Sequence, residues 1–383
     1  MKKIYIIFDQ VQSLKSGGLF AIYSRLVYLL ENDYDIEIIS VFKNEDGSEI
    51  LFPNKKMYNM SNIKKLPNFN KIKKQLKEKN FFPIIKEIYY LVEYLLFIPM
   101  SRIRIKKLIN FNDIVIVSSP SASIFMPKNI PFIMELHGGY NYFQRKNLVG
   151  KIQNLLMRKP SLVLFRTKSD MEKGKSKFNS NYIYNFFDNS ILTEDSLIGS
   201  PVRKNKIIYV GRLSPEKNLL KMLKCAEMLK NKHVNFQLDI FGTGSLEELL
   251  TKKIIELNLQ DFVSLKGFCN DKNIYNHYSV QWLTSDTEGL PLVIVEAMAN
   301  GVPTISTIWG DGVYEVIDDE KSGFICENDE EFVDKTIRLL NDEKYLYDMS
   351  LSALVKYQEF SPQNSYKRWI EILSKYEENI LKK

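Results

Sequence analysis

Apolar residues in the first half of this chain gather into short runs rich in Ile, Val and Phe, with helix-like segments between them. The runs are IYIIF (4–8), 36–42, 114–117, 132–136, 162–165 and 182–187. Continuous apolar character, rather than alternation, predicts strands covered on both faces, and so a parallel sheet between helices. A loop with Ser16-Gly17-Gly18 separates the first run from a helix predicted over 19–32, giving a strand–glycine loop–helix–strand unit. The stretch 188–205 has no periodicity and carries Gly, Ser and Pro, so it reads as a linker.

Beyond the linker the alternation restarts. Strands are predicted at 207–210, 236–241, 263–265, 280–284 and 304–306, and helices at 216–230, 246–257 and 291–300. From 330 the chain reads as helical: 330–340, 343–357, and a last helix from Pro362. The expected fold is α/β with two doubly wound, Rossmann-like halves, in which ligands sit at the carboxyl ends of the strands.

Composition adds bounds. The 383 residues fit two domains, and 45% hydrophobic with 26% charged residues suits a globular core. The three cysteines, Cys225, Cys269 and Cys326, are far apart and form no CxxC pair, which fits a reducing compartment and no zinc site. The start, MKKIYIIFDQ, breaks its apolar run at Asp9-Gln10 and reads as a buried strand rather than a signal peptide. No apolar stretch reaches the roughly 18 residues of a spanning helix, so a cytoplasmic location is expected.

Charge is uneven. Residues 1–199 hold 30 Lys/Arg and 18 Asp/Glu, a balance of +12; residues 200–383 hold 23 and 28, a balance of −5, which together give the overall +7. Much of the excess lies in 54–107, where 14 basic residues face three acids (Glu78, Glu87, Glu93) around the apolar, aromatic segment FFPIIKEIYYLVEYLLFIPM. That combination points to an anionic membrane surface, or else to a solvated basic face beside a core helix. No nucleic-acid motif accompanies the charge, so a nucleic-acid partner is not expected.

Candidate chemistry clusters at predicted strand ends. GRLSPEKN (211–218) follows one strand and Gly242-Thr243-Gly244 the next. Glycines there admit a close ligand, and free N–H groups at a helix start attract phosphate. A lone GxG is weak evidence for a dinucleotide fingerprint, and a tight turn accounts for it. Arg212 and Lys217 lie by a predicted helix start, where the dipole disfavours cations; either an anion sits between them or both are solvated. In SDTEGLPLVIVE (285–296), Pro291 suits a first helical position, which puts Glu288 in the loop before the helix and Glu296 on it. Glu296 needs hydrogen-bond donors, such as ribose hydroxyls, or else is an ordinary half-exposed helix residue. His137 follows a strand and precedes two glycines: an active-site edge, or a satisfied structural histidine.

Taken together, VGRLSPEKN (210–218), DIFGTGSLEELL (239–250), VSLKGF (263–268), SDTEGLPLVIVEAMANGVPTI (285–305) and GDGVYEVIDDEKSGFIC (310–326) resemble the retaining GT-B glycosyltransferases of family 4, in order and spacing. The first half matches only through Gly17-Gly18 and His137-Gly138. The family often has Gly-Gly where this chain has Gly310-Asp311-Gly312, and the 54–107 insert has no counterpart.

The resemblance implies a GT-B fold. Its domains would be 1–195 on the acceptor side, 200–361 for the nucleotide sugar, and a helix 362–383 crossing back to the first domain, with the two domains facing a cleft. It implies that Arg212 and Lys217 hold the donor diphosphate and that Glu296 binds the ribose. Glu288 would lie by the donor sugar, with the Gly289 and Leu290 amides near sugar or phosphate. Gly244 would lie near the nucleotide, Phe268 beside the base, Gly18 by the phosphates, and His137 facing the transferred sugar.

The implied activity is retaining transfer from a nucleotide-diphosphate sugar, UDP-sugar favoured. The acceptor would be a cell-surface polysaccharide, a teichoic acid or a lipid-linked oligosaccharide. No metal or other cofactor is expected, because fixed cations can stabilise the leaving phosphate; the one DxD, Asp33-Tyr34-Asp35, reads as a solvated turn. Two alternatives remain: a GT-B-shaped nucleotide-sugar epimerase, and a non-catalytic glycosyltransferase partner.

Overall fold

A computed structural model describes residues 1–11, 18–45, 48–61, 81–140, 155–188, 205–269, 271 and 273–381. The chain forms two compact units: 1–166 with 171–183 and 368–383, and 167–170 with 184–367.

The first unit is built on a sheet with the order β3-β2-β1-β4-β5-β6-β7. Its strands are β1 (Lys2–Phe8), β2 (Tyr34–Ser40), β3 (Met57–Asn59), β4 (Ile114–Val117), β5 (Ile133–Leu136), β6 (Leu162–Phe165) and β7 (Ser180–Tyr182). Every pairing is parallel. Strands β4 (IVIV) and β6 (LVLF) are wholly apolar and, like β5, buried throughout, as the runs predict, whereas the edge strands β3 (MYN) and β7 (SNY) are partly exposed. Helix α1 (Gly18–Leu30) follows β1, and the 28-residue α2 (Phe81–Leu108) precedes β4.

Two expectations change here. The short edge strand β3 lies in the basic insert, where no strand was predicted. The run predicted at 182–187 pairs only through Ser180–Tyr182. The chain then leaves for the second unit at Tyr184, short of the expected boundary at 195. Hydrogen bonds within that unit explain the early departure. The Asn185 amide donates to the Leu290 carbonyl (2.9 Å) and the Tyr357 hydroxyl to the Phe187 carbonyl (2.7 Å). Most of the predicted linker, 189–204, lies outside the described residues.

The second unit carries a sheet with the order β10-β9-β8-β11-β12-β13. These strands are β8 (Lys206–Val210), β9 (Gln237–Phe241), β10 (Val263–Gly267), β11 (Val280–Leu283), β12 (Thr304–Thr307) and β13 (Gly323–Cys326), again parallel throughout. Helices α3 (Leu219–Asn231), α4 (Glu247–Glu256), α5 (Leu292–Ala299), α6 (Asp329–Asn341) and α7 (Glu343–Tyr357) cover it. Trp282 of β11 is fully buried, edge-on to Phe332 of α6 with ring centroids 5.1 Å apart. Its indole N–H donates to the Thr336 hydroxyl (3.1 Å), so the large aromatic is buried without an unpaired polar atom.

The last helix, α8 (Pro362–Leu381), joins the first unit from Arg368 onward. Trp369, Ile372, Leu373 and Tyr376 are buried, and Glu377 pairs with Lys2 at 2.6 Å.

Candidate functional site

In the second unit, β8 and β11 are neighbours in the sheet although far apart in sequence. At such a switch point the loops at the carboxyl ends diverge and leave a crevice. The loops after β8, β9 and β11 carry most of the motif residues.

The loop after β8 departs from the predicted helix over 216–230. Pro215–Lys217 forms a single 3-10 turn, and Asn218 then takes a left-handed conformation (φ 48) before α3 begins at Leu219. Asparagine tolerates this backbone because its short amide can bond locally. Here Nδ2 donates to the Asp286 carboxylate (2.8 Å) and Oδ1 accepts from the Lys221 N–H. Lys217 therefore ends a turn, and is not in the first turn of a helix.

The loops after β8 and β11 are joined along their length. The Thr284 hydroxyl donates to the Lys217 carbonyl (3.1 Å), and the Asp286 N–H to the Glu216 carbonyl (3.0 Å). Lys217 Nζ lies 2.5 Å from Glu288 Oε1, which also accepts from the Ser285 hydroxyl (2.7 Å). Both partners are largely buried, with side chains 15% and 11% exposed. Arg212, by contrast, is 68% exposed and 3.3 Å from Glu216.

The loop after β9 is tied to the same place. The Gly211 N–H donates to the Phe241 carbonyl and the Leu213 N–H to the Thr243 carbonyl, each at 3.0 Å. Gly242 has φ 142, and a Cβ there would sit 1.8 Å from the Gly211 carbonyl oxygen. At Gly244 a Cβ would meet the Leu213 carbonyl at 2.3 Å. Both glycines are required by the approach of two protein loops, whatever ligand lies nearby.

The other predicted residues fall around this core. Gly289 is half-buried beside Glu288; Leu290 is buried and its carbonyl accepts from Asn185. Pro291 precedes α5 by one residue. Glu296 is half-buried on α5, with the Tyr275 hydroxyl 3.4 Å from its Oε2. Burial, and then the neighbouring Glu296 carboxylate, push the Tyr275 phenol well above its ordinary range, so it stays a donor. Phe268, just past β10, is 52% exposed. Tyr275 and Asn185 went unmarked in the sequence because neither belongs to a motif.

Gly18 and His137 belong to the first unit. Gly18 opens α1, while Gly17 is outside the described residues. His137 follows β5 and is half-buried. Its Nε2 is 3.0 Å from Arg166 Nη2 and 3.3 Å from the Tyr23 hydroxyl. Arg166, at the end of β6, also holds the fully buried Glu135 carboxylate. Burial favours a neutral Glu135, but the Arg166 charge and the neighbouring His137 and Tyr23 groups together lower it to about 2. Burial and then Arg166 depress His137 to about 4. The motif search missed Arg166 and Glu135. A glutamate inside the apolar strand IMEL was the available signal, because a buried charge requires a partner.

Residues 193–353 match the family described as Glycosyl transferases group 1. The match spans less than half of the chain. A protein of Haemophilus influenzae described as an uncharacterized glycosyltransferase is 26% identical over 349 residues, which cover 90% of this chain and 92% of that protein. The poly(glycerol-phosphate) alpha-glucosyltransferase of Bacillus subtilis is 27% identical over 242 residues, covering 61% of this chain and only 35% of that one. Among solved structures, a variant of S. aureus TarM, in complex with fondaparinux, alpha-GlcNAc-glycerol and UDP, superposes with a TM-score of 0.73 at 16% identity. That match covers 97% of this chain and 99% of TarM. The pneumococcal O-GlcNAc transferase GtfA, in complex with UDP and GlcNAc, gives 0.72 at 14% identity, covering 99% of both chains. With two parallel-sheet Rossmann-like units, the fold is GT-B.

Proposed function

We propose that the chain is a retaining hexosyltransferase that moves a sugar from a nucleotide-diphosphate donor, a UDP-sugar in preference, to a cell-surface glycan, teichoic acid or lipid-linked acceptor. The observation that carries this reading is the stitched junction of loops after β8, β9 and β11. It holds Lys217 against Glu288 and leaves the Arg212 guanidinium open. In the reaction the bond from the sugar's anomeric carbon to the diphosphate oxygen breaks. A bond to the acceptor oxygen forms on the same face, and the acceptor's proton leaves with the diphosphate. Negative charge grows on the leaving group, where fixed cations lower the barrier without reorganising. Arg212 and Lys217 supply that charge, Glu296 with Tyr275 takes the ribose hydroxyls, and no metal is required.

Relatives act, by their names, on poly(glycerol-phosphate) and poly(ribitol-phosphate), and TarM and GtfA were solved with UDP; this supports the donor and acceptor classes. The test is a panel of nucleotide sugars scored by thermal shift and slow hydrolysis, with the wild type and Arg212→Ala. One donor should stabilise and be cleaved by the wild type, and Arg212→Ala should lose at least tenfold in affinity, about 1.4 kcal/mol. Its unfolding should stay within about 0.5 kcal/mol, as for an exposed side chain. A donor converted to another sugar without hydrolysis or acceptor identifies an epimerase instead, and equal activity in the variant removes the phosphate role.

A membrane surface is part of the same reading. On α2, Tyr89, Val92, Leu96, Met100 and Ile103 are all exposed and recur at three- and four-residue spacing, which makes one apolar stripe. Arg104, Lys106 and Lys107 are exposed near its end. Such a helix suits an anionic interface. Among the described residues no helix is long and apolar enough to cross a membrane. The lysines at 64–79 lie outside the described residues.

A further inference from the structure

We infer that Arg166 is a positioning residue for His137: it holds the imidazole neutral with its proton on Nδ1, so the ring offers a ligand only a hydrogen-bond donor. This rests on the glycosyltransferase reading above and on the resemblance that sets His137 facing the transferred sugar.

The geometry is direct. A guanidinium has donors and no acceptor. Arg166 Nη2, 3.0 Å from Nε2, therefore requires Nε2 to accept, and the proton of a neutral ring must sit on Nδ1. Arg166 is itself fixed. It is buried, anchored by the Glu135 carboxylate and reaching toward the Ile183 carbonyl at 3.5 Å. The groups facing the ring are Glu135 on its own strand, whose Oε2 lies 3.8 Å from Nε2, Arg166 from β6, and Tyr23 from α1, whose hydroxyl is also on the Nε2 side.

Nδ1 is buried and has no hydrogen-bond partner among the described residues. A buried donor left unpaired is costly, and such a group calls for an explanation. A sugar oxygen placed against it removes the cost and gives His137 its use. The ring cannot take a proton at Nε2 without confronting a second positive charge, so it does not act as a general base. Its contribution to transfer is orientation of the sugar.

Ring nitrogen NMR tests this without any substrate. The chain has only three histidines, His137, His233 and His277, so a His137→Gln variant assigns the signal. The wild type should show His137 in the Nδ1–H form, with no titration between pH 5 and 8. Arg166→Met should mix the tautomers and bring a titration up near pH 6.5, and Arg166→Lys, which keeps a donor, should restore part of the wild-type pattern. A wild-type His137 protonated on Nε2, or one titrating near 6.5, overturns the inference. If Arg166→Met does not fold, the wild-type spectrum still decides. Failure of every nucleotide sugar to bind, with the tautomer as stated, would count against the donor reading and not against Arg166.

Discussion

Lys217 and Glu288, two residues that sequence motifs assign to separate parts of one donor, form an ion pair with each other at 2.5 Å. The pair joins the loops after β8 and β11, with Ser285 on the same carboxylate oxygen. Neither residue can be removed without releasing the other. Lys217→Ala and Glu288→Gln should each lower stability by about 1.5–3 kcal/mol, the range for hydrogen bonds to charged groups. The double variant should cost clearly less than their sum. Urea unfolding of the three variants measures the coupling, and additive losses would show that the pair is not formed in solution.

Gly244→Ala should act on Arg212 without touching it. The added Cβ meets the Leu213 carbonyl at 2.3 Å, so the β8 loop must move. We expect UDP affinity to fall at least tenfold while the melting temperature shifts by only a few degrees. Unchanged UDP binding by calorimetry would show that the two loops tolerate separation.

Acid should destabilise the first unit in two stages. His137 is held near 4 when folded, against 6.5 ordinarily, so the unfolded chain binds a proton first as pH falls through that interval. Stability therefore drops from pH 6.5 toward 4. Glu135 is held near 2 against 4.5, so a second loss runs from 4.5 toward 2. His137→Gln should flatten the upper stage and leave the lower one. Denaturation midpoints at half-unit steps from pH 7 to 4 would reveal it, and parallel curves for variant and wild type refute the assignment.

Charge placed on the α2 stripe should abolish membrane association. Leu96→Glu with Met100→Glu puts two carboxylates on an exposed face, so folding should be unaffected. The wild type should co-sediment with anionic phosphatidylglycerol vesicles at low salt and not with neutral ones, and the variant with neither. Equal recovery of the wild type on both vesicle types removes the membrane reading.

Strands such as IVIV (114–117) were legible in the sequence because a buried parallel strand leaves a continuous apolar run. The loops after β8, β9 and β11 were legible as a cluster because their glycines, cations and acids sit at strand ends. The start of α3 was not, because a left-handed Asn218 separates a 3-10 turn from the helix, and no periodicity encodes one residue's φ. Arg166 was also hidden. A cation closing the run LVLF looks like an ordinary strand end until the fold sets β5 beside β6 and supplies Glu135 and His137 as its partners.

The return of α8 to the first unit has a bearing on biosynthesis. Trp369, Ile372, Leu373 and Tyr376 complete a body whose first strand left the ribosome more than 350 residues earlier. The N-terminal unit, although made first, cannot be finished until α8 has been made. The second unit, complete at Lys367 in the first turns of α8, emerges whole before the residues that finish the first and is able to fold ahead of it. For this chain the order of synthesis and the order of completion run in opposite directions.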